Sequence, residues 1–425
     1  MKILSITAGA AGMYCGSCSR DNALAAELMR QGHDVILIPV YTPTRPDEPN
    51  VSVDRVAFGG ISVYLQHKFA LFRTLPRLLD RIWDAPSVIR ALAGRSLSTD
   101  PRLLGDLTVS MLQGESGTLG REFDKFMGWL RGEPPPDVIN IPNSLLIALA
   151  EPLRRAFNRP VCVTLQGEEL FLDGLIEPYR SHALELIRGH VAHVDRFIAV
   201  SEYCADFMPG FLGFPRDRVD VVPLGVNTDG HEMRTPSDAF TVGYFARIAP
   251  EKGLHVLADA YIRFRRRIDD AKVKLDVAGY LSAGHKPYLD DVKATLAKAG
   301  MADQFVYHGE VDRAGKLAFL QRLDVLSVPA TYDEPKGLFL LEAMASGVPV
   351  VQPRRGAFTE VVERTGGGLL VEPDNPERLA DGLHALWSDR ALAAKLGQQA
   401  FAGVRAHYTI EQAAKRLVDV YERTT

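Results

Sequence analysis

Short apolar, β-branched runs alternate with helical stretches along this chain, and the alternation begins afresh past the midpoint. Residues 3–7, 35–40, 138–141, 161–164, 197–200 and 219–223 read as strands in a first series. Residues 240–245, 273–278, 305–308, 325–328 and 348–352 read as strands in a second. Strands separated by helical patterns specify βαβ units and a parallel sheet. At 425 residues the chain also exceeds the roughly 250–300 at which one hydrophobic core stops growing. The expected class is therefore α/β with two open parallel-sheet units in tandem. Helical spacing over residues 23–31 stops at Gly32, a C-terminal signal. Residues 223–238, rich in Gly, Asn, Asp, Ser and Pro, read as the linker. The domains are expected at 1–225 and 226–407, with a C-terminal helix near 408–425 as a candidate to pack back on the first.

Composition removes several classes. With 46% hydrophobic and 24% charged residues, packed domains are within reach. Lys and Arg number 49 against 53 Asp and Glu, a net charge of −4, and neither half is basic, which argues against nucleic acid as a partner. Four cysteines do not build a disulfide scaffold. The opening MKILSITAGAAG reads as a strand and turn rather than a signal peptide, and no run approaches about 18 apolar residues. The expected setting is reducing and cytoplasmic.

Residues 59–133 interrupt the first series with a helical insertion punctuated by Pro and Gly. Arg73, Arg77 and Arg81 share one face at i, i+4 spacing. Two readings stand: a solvated face of an inserted hairpin, or a basic cover giving peripheral contact with the inner face of a membrane.

In open parallel sheets, ligands bind beyond the carboxyl ends of the strands. The first such loop, residues 8–19, holds Gly9, Gly12 and Gly16 before a helix, without GxGxxG spacing. Cys15 and Cys18 have CxxC spacing but no second pair, which is weak evidence for zinc. After the strand 240–245, Arg247 and Lys252 bracket a loop that opens a helix. A Lys there opposes the macrodipole and makes sense with a bound anion; an Arg fork plus a Lys point charge suits a diphosphate. The alternative is a salt bridge of either cation with Glu251. In DEPKGLFLLEAMASGVPVV, Glu342 falls on a helix whose other residues look buried, so it needs donors or a cation. A ribose diol supplies two hydroxyl donors; a nearby Arg is the alternative. Glu334 lies in the preceding loop, and the N–H groups of Leu338 and Phe339 open the helix as donors for a phosphate.

These residues resemble the retaining glycosyltransferases of family 4 (glycosyltransferase group 1), which have the GT-B fold. The Glu334-x7-Glu342 pair carries the resemblance together with FARIAPEKG, VSEYCADFM, VPLGVNTDGH, GGGLLVEPDNPERLADGL and ALAAELMRQGHDV. It spans most of the chain except about 42–135. It implies two Rossmann-like domains facing across a cleft, the first on the acceptor side and the second binding a UDP- or GDP-sugar donor. By position it implies that Arg247 and Lys252 hold the diphosphate, that Glu334 contacts the sugar and that Glu342 holds the ribose. Gly337, Leu338 and Phe339 then offer backbone donors, Gly16 matches the second glycine of a Gly-Gly loop, and Glu310 and Val311 lie where the base rests. Gln166 stands where the family commonly has a His; it cannot titrate, which excludes proton transfer there. Gln166 and Glu168 are the candidates on the acceptor or sugar side.

The implied reaction is metal-independent sugar transfer with retention, the acceptor being deprotonated by the leaving phosphate. Asp269-Asp270 and Asp290-Asp291 read as solvated, so no metal or other cofactor is expected. Two other readings use the same donor site: a nucleotide-sugar hydrolase or glycosyl phosphorylase, and a non-catalytic nucleotide-sugar-binding protein.

Overall fold

The computed structural model describes residues 1–9, 16–58, 101–235, 237–268 and 272–425. Gly12, Cys15, Arg73, Arg77, Arg81, Asp269 and Asp270 lie outside the described residues. Contacts divide the chain into two units, Met1–Pro223 with Ala413–Thr425, and Leu224–Gln412.

The first unit holds β1 (Lys2–Thr7), β2 (Asp34–Pro39), β3 (Val138–Ile141), β4 (Val161–Leu165), β5 (Arg196–Ala199) and β6 (Val219–Val221), in the order β2-β1-β3-β4-β5-β6. All pairs are parallel; Ile3 sits opposite both Val35 and Val138. β3 and β4 are buried at every position, as expected of strands covered on both faces. The described part of the insertion, including helices Pro101–Leu112 and Gly120–Leu130, lends Phe123, Phe126 and Met127 to this core. The first helix, Gly16–Arg30, starts a full turn or more before the expected 23, because Arg20, Asp21 and Asn22 are buried polar residues that break the apolar spacing.

The second unit holds β7 (Phe240–Phe245), β8 (Val273–Ala278), β9 (Phe305–Tyr307), β10 (Val325–Leu326), β11 (Val350–Pro353) and β12 (Gly368–Val371), in the order β12-β11-β10-β7-β8-β9. Again every pair is parallel. Each sheet is therefore a doubly wound Rossmann-like layer, with β1 second from one edge of the first sheet and β7 near the middle of the second.

The stretch read as a linker is anchored to the second unit. Val226 bridges Thr409, the His231 Nδ1 lies 2.8 Å from the Ser346 hydroxyl, and Arg234 donates to the Asp324 carboxylate at 2.6 Å. Asp324 is buried and also accepts from Arg390 at 3.0 Å and from the Thr241 N–H at 2.8 Å. Removing the carboxylate leaves the Arg234 cation, only 10% exposed, without its counter-charge. Asp324→Ala is expected to lower stability by about 3–5 kcal/mol; an unchanged urea midpoint contradicts this.

Candidate active site

Four loops at the carboxyl edge of the second sheet are tied together by backbone contacts that depend on glycine. The loop after β7 is pinned to the end of β8, with Ala246 N–H donating to Ala278 O at 3.2 Å and Ile248 N–H to Tyr280 O at 2.8 Å. A Cβ on Gly279 would stand 1.9 Å from Ala246 O. A 3-10 turn, Pro250–Lys252, then ends at Gly253, whose φ of +76° is left-handed and whose added Cβ would lie 1.9 Å from Pro329 O. That approach lets Thr331 N–H donate to Glu251 O at 2.9 Å, joining the loops after β7 and β10. The loop after β11 closes the set, because Ala357 N–H donates to Glu334 O at 2.8 Å.

The result is an ionic group in which Glu334 is buried and Lys252 and Tyr332 are largely covered. The Lys252 ammonium donates to the Glu334 carboxylate and, at 2.6 Å, to the Tyr332 hydroxyl. The Tyr332 hydroxyl donates in turn to the same Glu334 oxygen, and the ammonium lies 5.0 Å from the Tyr332 ring centre and 5.7 Å from that of Phe339. Burial raises the Glu334 pKa, but the Lys252 and Lys336 charges and the hydrogen bonds from Lys252 and Tyr332 outweigh it and hold the carboxyl down to about 2. Burial lowers the Lys252 pKa, opposed by Glu334, and raises that of the Tyr332 phenol. The carboxylate is thus ionised and the phenol remains a donor at neutral pH. Arg247, half-buried, makes the loop salt bridge weighed above, 2.6 Å from Glu251. The charges acting on one another here are Arg247, Lys252 and Lys336 against Glu251 and Glu334, an excess of one positive charge.

Beside this group, Gly337 with φ of +75° starts the helix Leu338–Ala345. Its first N–H groups, those of Leu338 and Phe339, lack intrahelical partners by geometry. Glu342, one turn in, is 8% exposed and pairs at 2.7 Å with Lys316, itself 5% exposed. The expected alternative partner was an Arg; the partner is a Lys on the helix Arg313–Gln321. Val311 is half-buried and Glu310 exposed, just beyond β9 and immediately before that helix.

In the first unit, Gly16 is exposed and opens the first helix, with nothing within 4 Å of an added Cβ. Gln166, 3% exposed, follows β4; its Nε2 donates to Pro142 O at 2.8 Å and to Asp21 at 3.3 Å. Glu168 accepts from the Ser144 N–H at 2.9 Å and the Gln166 N–H at 2.8 Å, so it braces the loops after β3 and β4. Gln166 and Glu168 are brought together in this unit. In the second, Arg247, Lys252, Glu334, Gly337, Leu338 and Phe339 converge around the ionic group, with Glu342 one helical turn further on. Sequence reasoning missed Tyr332, Lys336 and Lys316. Lys336 lay inside the singled-out segment, and Lys316 shows as a Lys on the face that buries Phe319 and Leu320.

The fold and this basic, loop-built edge define a GT-B type α/β protein. The model described as Glycosyl transferases group 1 matches residues 229–402, and that described as Glycosyl transferase 4-like domain matches residues 20–225. The chain belongs to the group 1 glycosyltransferases. Among its relatives, the D-inositol 3-phosphate glycosyltransferase of Arthrobacter sp. (strain FB24) is 32% identical over 47% of each chain. The lipopolysaccharide core mannosyltransferase LpsB of Rhizobium meliloti (strain 1021) is 34% identical over 43% of this chain and 51% of its own. The chain spans about half the length of these curated relatives. Two solved structures share the fold over nearly all of both chains. Sucrose-phosphate synthase of Thermosynechococcus elongatus has a TM-score of 0.74 at 18% identity, covering 99% of this chain and 98% of its own. Anabaena HepE, solved with UDP, has a TM-score of 0.68 at 19% identity, covering 100% of both.

A carboxyl depressed in the folded state binds fewer protons there than in the unfolded chain. The stabilisation from Glu334 is therefore full above its ordinary value of 4.5 and is lost as the pH falls towards about 2. At about 1.36 kcal/mol per pKa unit it amounts to at most about 3 kcal/mol, part of it offset by the buried Lys252. The stability gap between wild type and Glu334→Gln should close over that window. A gap independent of pH from 6 to 2.5 refutes the ionic pair.

Proposed function

We propose that this chain is a retaining glycosyltransferase that moves a sugar from a nucleotide-diphosphate sugar to an acceptor hydroxyl without a metal. The observation that carries the reading is the buried Lys252–Glu334–Tyr332 group beside Arg247 and the opening of the helix Leu338–Ala345. The family supports it, as does the structural likeness to HepE, which has been solved with UDP and with UDP-glucose.

In this reading the diphosphate lies against Arg247, Lys252 and the N–H groups of Leu338 and Phe339. The ribose hydroxyls donate to Glu342, which Lys316 holds in place, and the base rests on backbone near Val311. Glu334 aims the Lys252 ammonium and accepts from a sugar hydroxyl. As the bond from the anomeric carbon to the phosphate oxygen breaks, negative charge grows on the diphosphate, where the cations stand pre-positioned and need not reorganise. The acceptor hydroxyl attacks from the leaving-group side and gives its proton to the departing phosphate oxygen. No side-chain nucleophile is needed: Gln166 does not titrate, and Glu168 is committed to two backbone N–H groups.

Incubation with UDP- and GDP-sugars plus candidate acceptors, in EDTA, followed by mass spectrometry tests the reading. Sugar on an acceptor supports transfer; free sugar alone, or tight binding without nucleotide release, overturns it. A requirement for added Mn²⁺ overturns the metal-free claim. Lys252→Ala should lower kcat at least tenfold, since losing one charge-stabilising donor costs roughly 3–4 kcal/mol; wild-type turnover contradicts its role. Lys316→Met should raise the donor KM about tenfold or more, with a smaller effect on kcat, because a hydrogen bond between charged groups contributes about 1.5–3 kcal/mol. An unchanged KM removes Glu342 from the ribose.

A further inference from the structure

The first unit gathers two histidines and a carboxylate that the proposed chemistry does not use. Glu151 lies in the first turn of the helix Ala150–Phe157. His190 ends the helix Tyr179–His190, and His193 ends the 3-10 turn Val191–His193 that follows. One ligand atom from each lies within 4.8 Å of the others, and His193 Nε2 is 3.7 Å from a Glu151 oxygen. The imidazoles are half-buried and Glu151 is exposed, so the group is open to solvent.

We propose that Glu151, His190 and His193 form a zinc site that fastens the helix Ala150–Phe157 to the end of the helix Tyr179–His190. Donors bound tetrahedrally at about 2.0–2.1 Å from Zn²⁺ stand roughly 3.3 Å apart, so small side-chain rotations close the present spacing. One hydrogen bond sets the tautomer of His190. Its Nε2 lies 2.8 Å from Leu112 O, and a carbonyl can only accept, so Nε2 carries the hydrogen and Nδ1 keeps the lone pair. A ligating imidazole that donates its other N–H to a backbone carbonyl is the usual supporting arrangement at zinc. Two imidazoles and a carboxylate suit Zn²⁺ over Mg²⁺ or Ca²⁺, and water completes the fourth position. The nearby guanidiniums are engaged: Arg154 pairs with Asp195 at 2.6 Å and Arg155 with Glu115 at 2.6 Å.

Untagged full-length protein, stripped with EDTA and exchanged into a non-chelating buffer, is titrated with ZnCl₂ by calorimetry and by thermal melting. About one equivalent should bind and raise the melting temperature. His193→Gln and Glu151→Gln keep the backbone contacts of both positions and should melt like the metal-free wild type. Each should bind Zn²⁺ at least tenfold more weakly and lose the thermal shift. Binding by wild type no tighter than by His193→Gln and Glu151→Gln, or no binding at all, overturns the site.

Discussion

The contact between Lys252 and Glu334 is the constraint on which the carboxyl edge of the second sheet depends. A buried ammonium and a buried carboxylate are each costly alone, and together they persist only with good geometry and further hydrogen bonds. Tyr332 supplies such a bond, and the rings of Tyr332 and Phe339 flank the cation. The backbone serves that contact. Gly253 and Gly279 let the loops after β7, β8 and β10 approach, and Gly356 lets the loop after β11 press on Glu334, where a Cβ would come within 2.5 Å of its carbonyl oxygen. An anion arriving here meets cations whose placement folding has already settled.

Glu342 follows the same logic one helical turn away. A carboxylate among Leu340, Leu341 and Met344 needs a cation, and Lys316 reaches it from a neighbouring helix. The first unit uses its acids differently. Glu168 accepts two backbone N–H groups and so shapes the loops around Gln166 rather than offering a base.

Much of this architecture was legible in the sequence because parallel strands buried on both faces are plain apolar runs. β3, β7 and β8 begin and end where the pattern says. β12 was missed, since Gly368–Val371 follows two glycines and is half-buried throughout. The run 325–328 pairs through only Val325 and Leu326. At the candidate site, glycines and an E-x7-E spacing are visible in one dimension. The Lys316–Glu342 and Tyr332–Lys252 contacts are not, because they join residues 26 and 80 apart through tertiary packing. The basic face of Arg73, Arg77 and Arg81 lies outside the described residues.

No helix among the described residues is long and apolar enough to cross a membrane. The proposed donor site lies along one edge of one sheet, and a crystal structure of the protein with UDP or GDP bound is its sharpest test. The pyrophosphate is expected against Arg247, Lys252 and the amides of Leu338 and Phe339, with the ribose hydroxyls on Glu342. A nucleotide bound elsewhere, leaving Lys252 and Glu342 untouched, contradicts it.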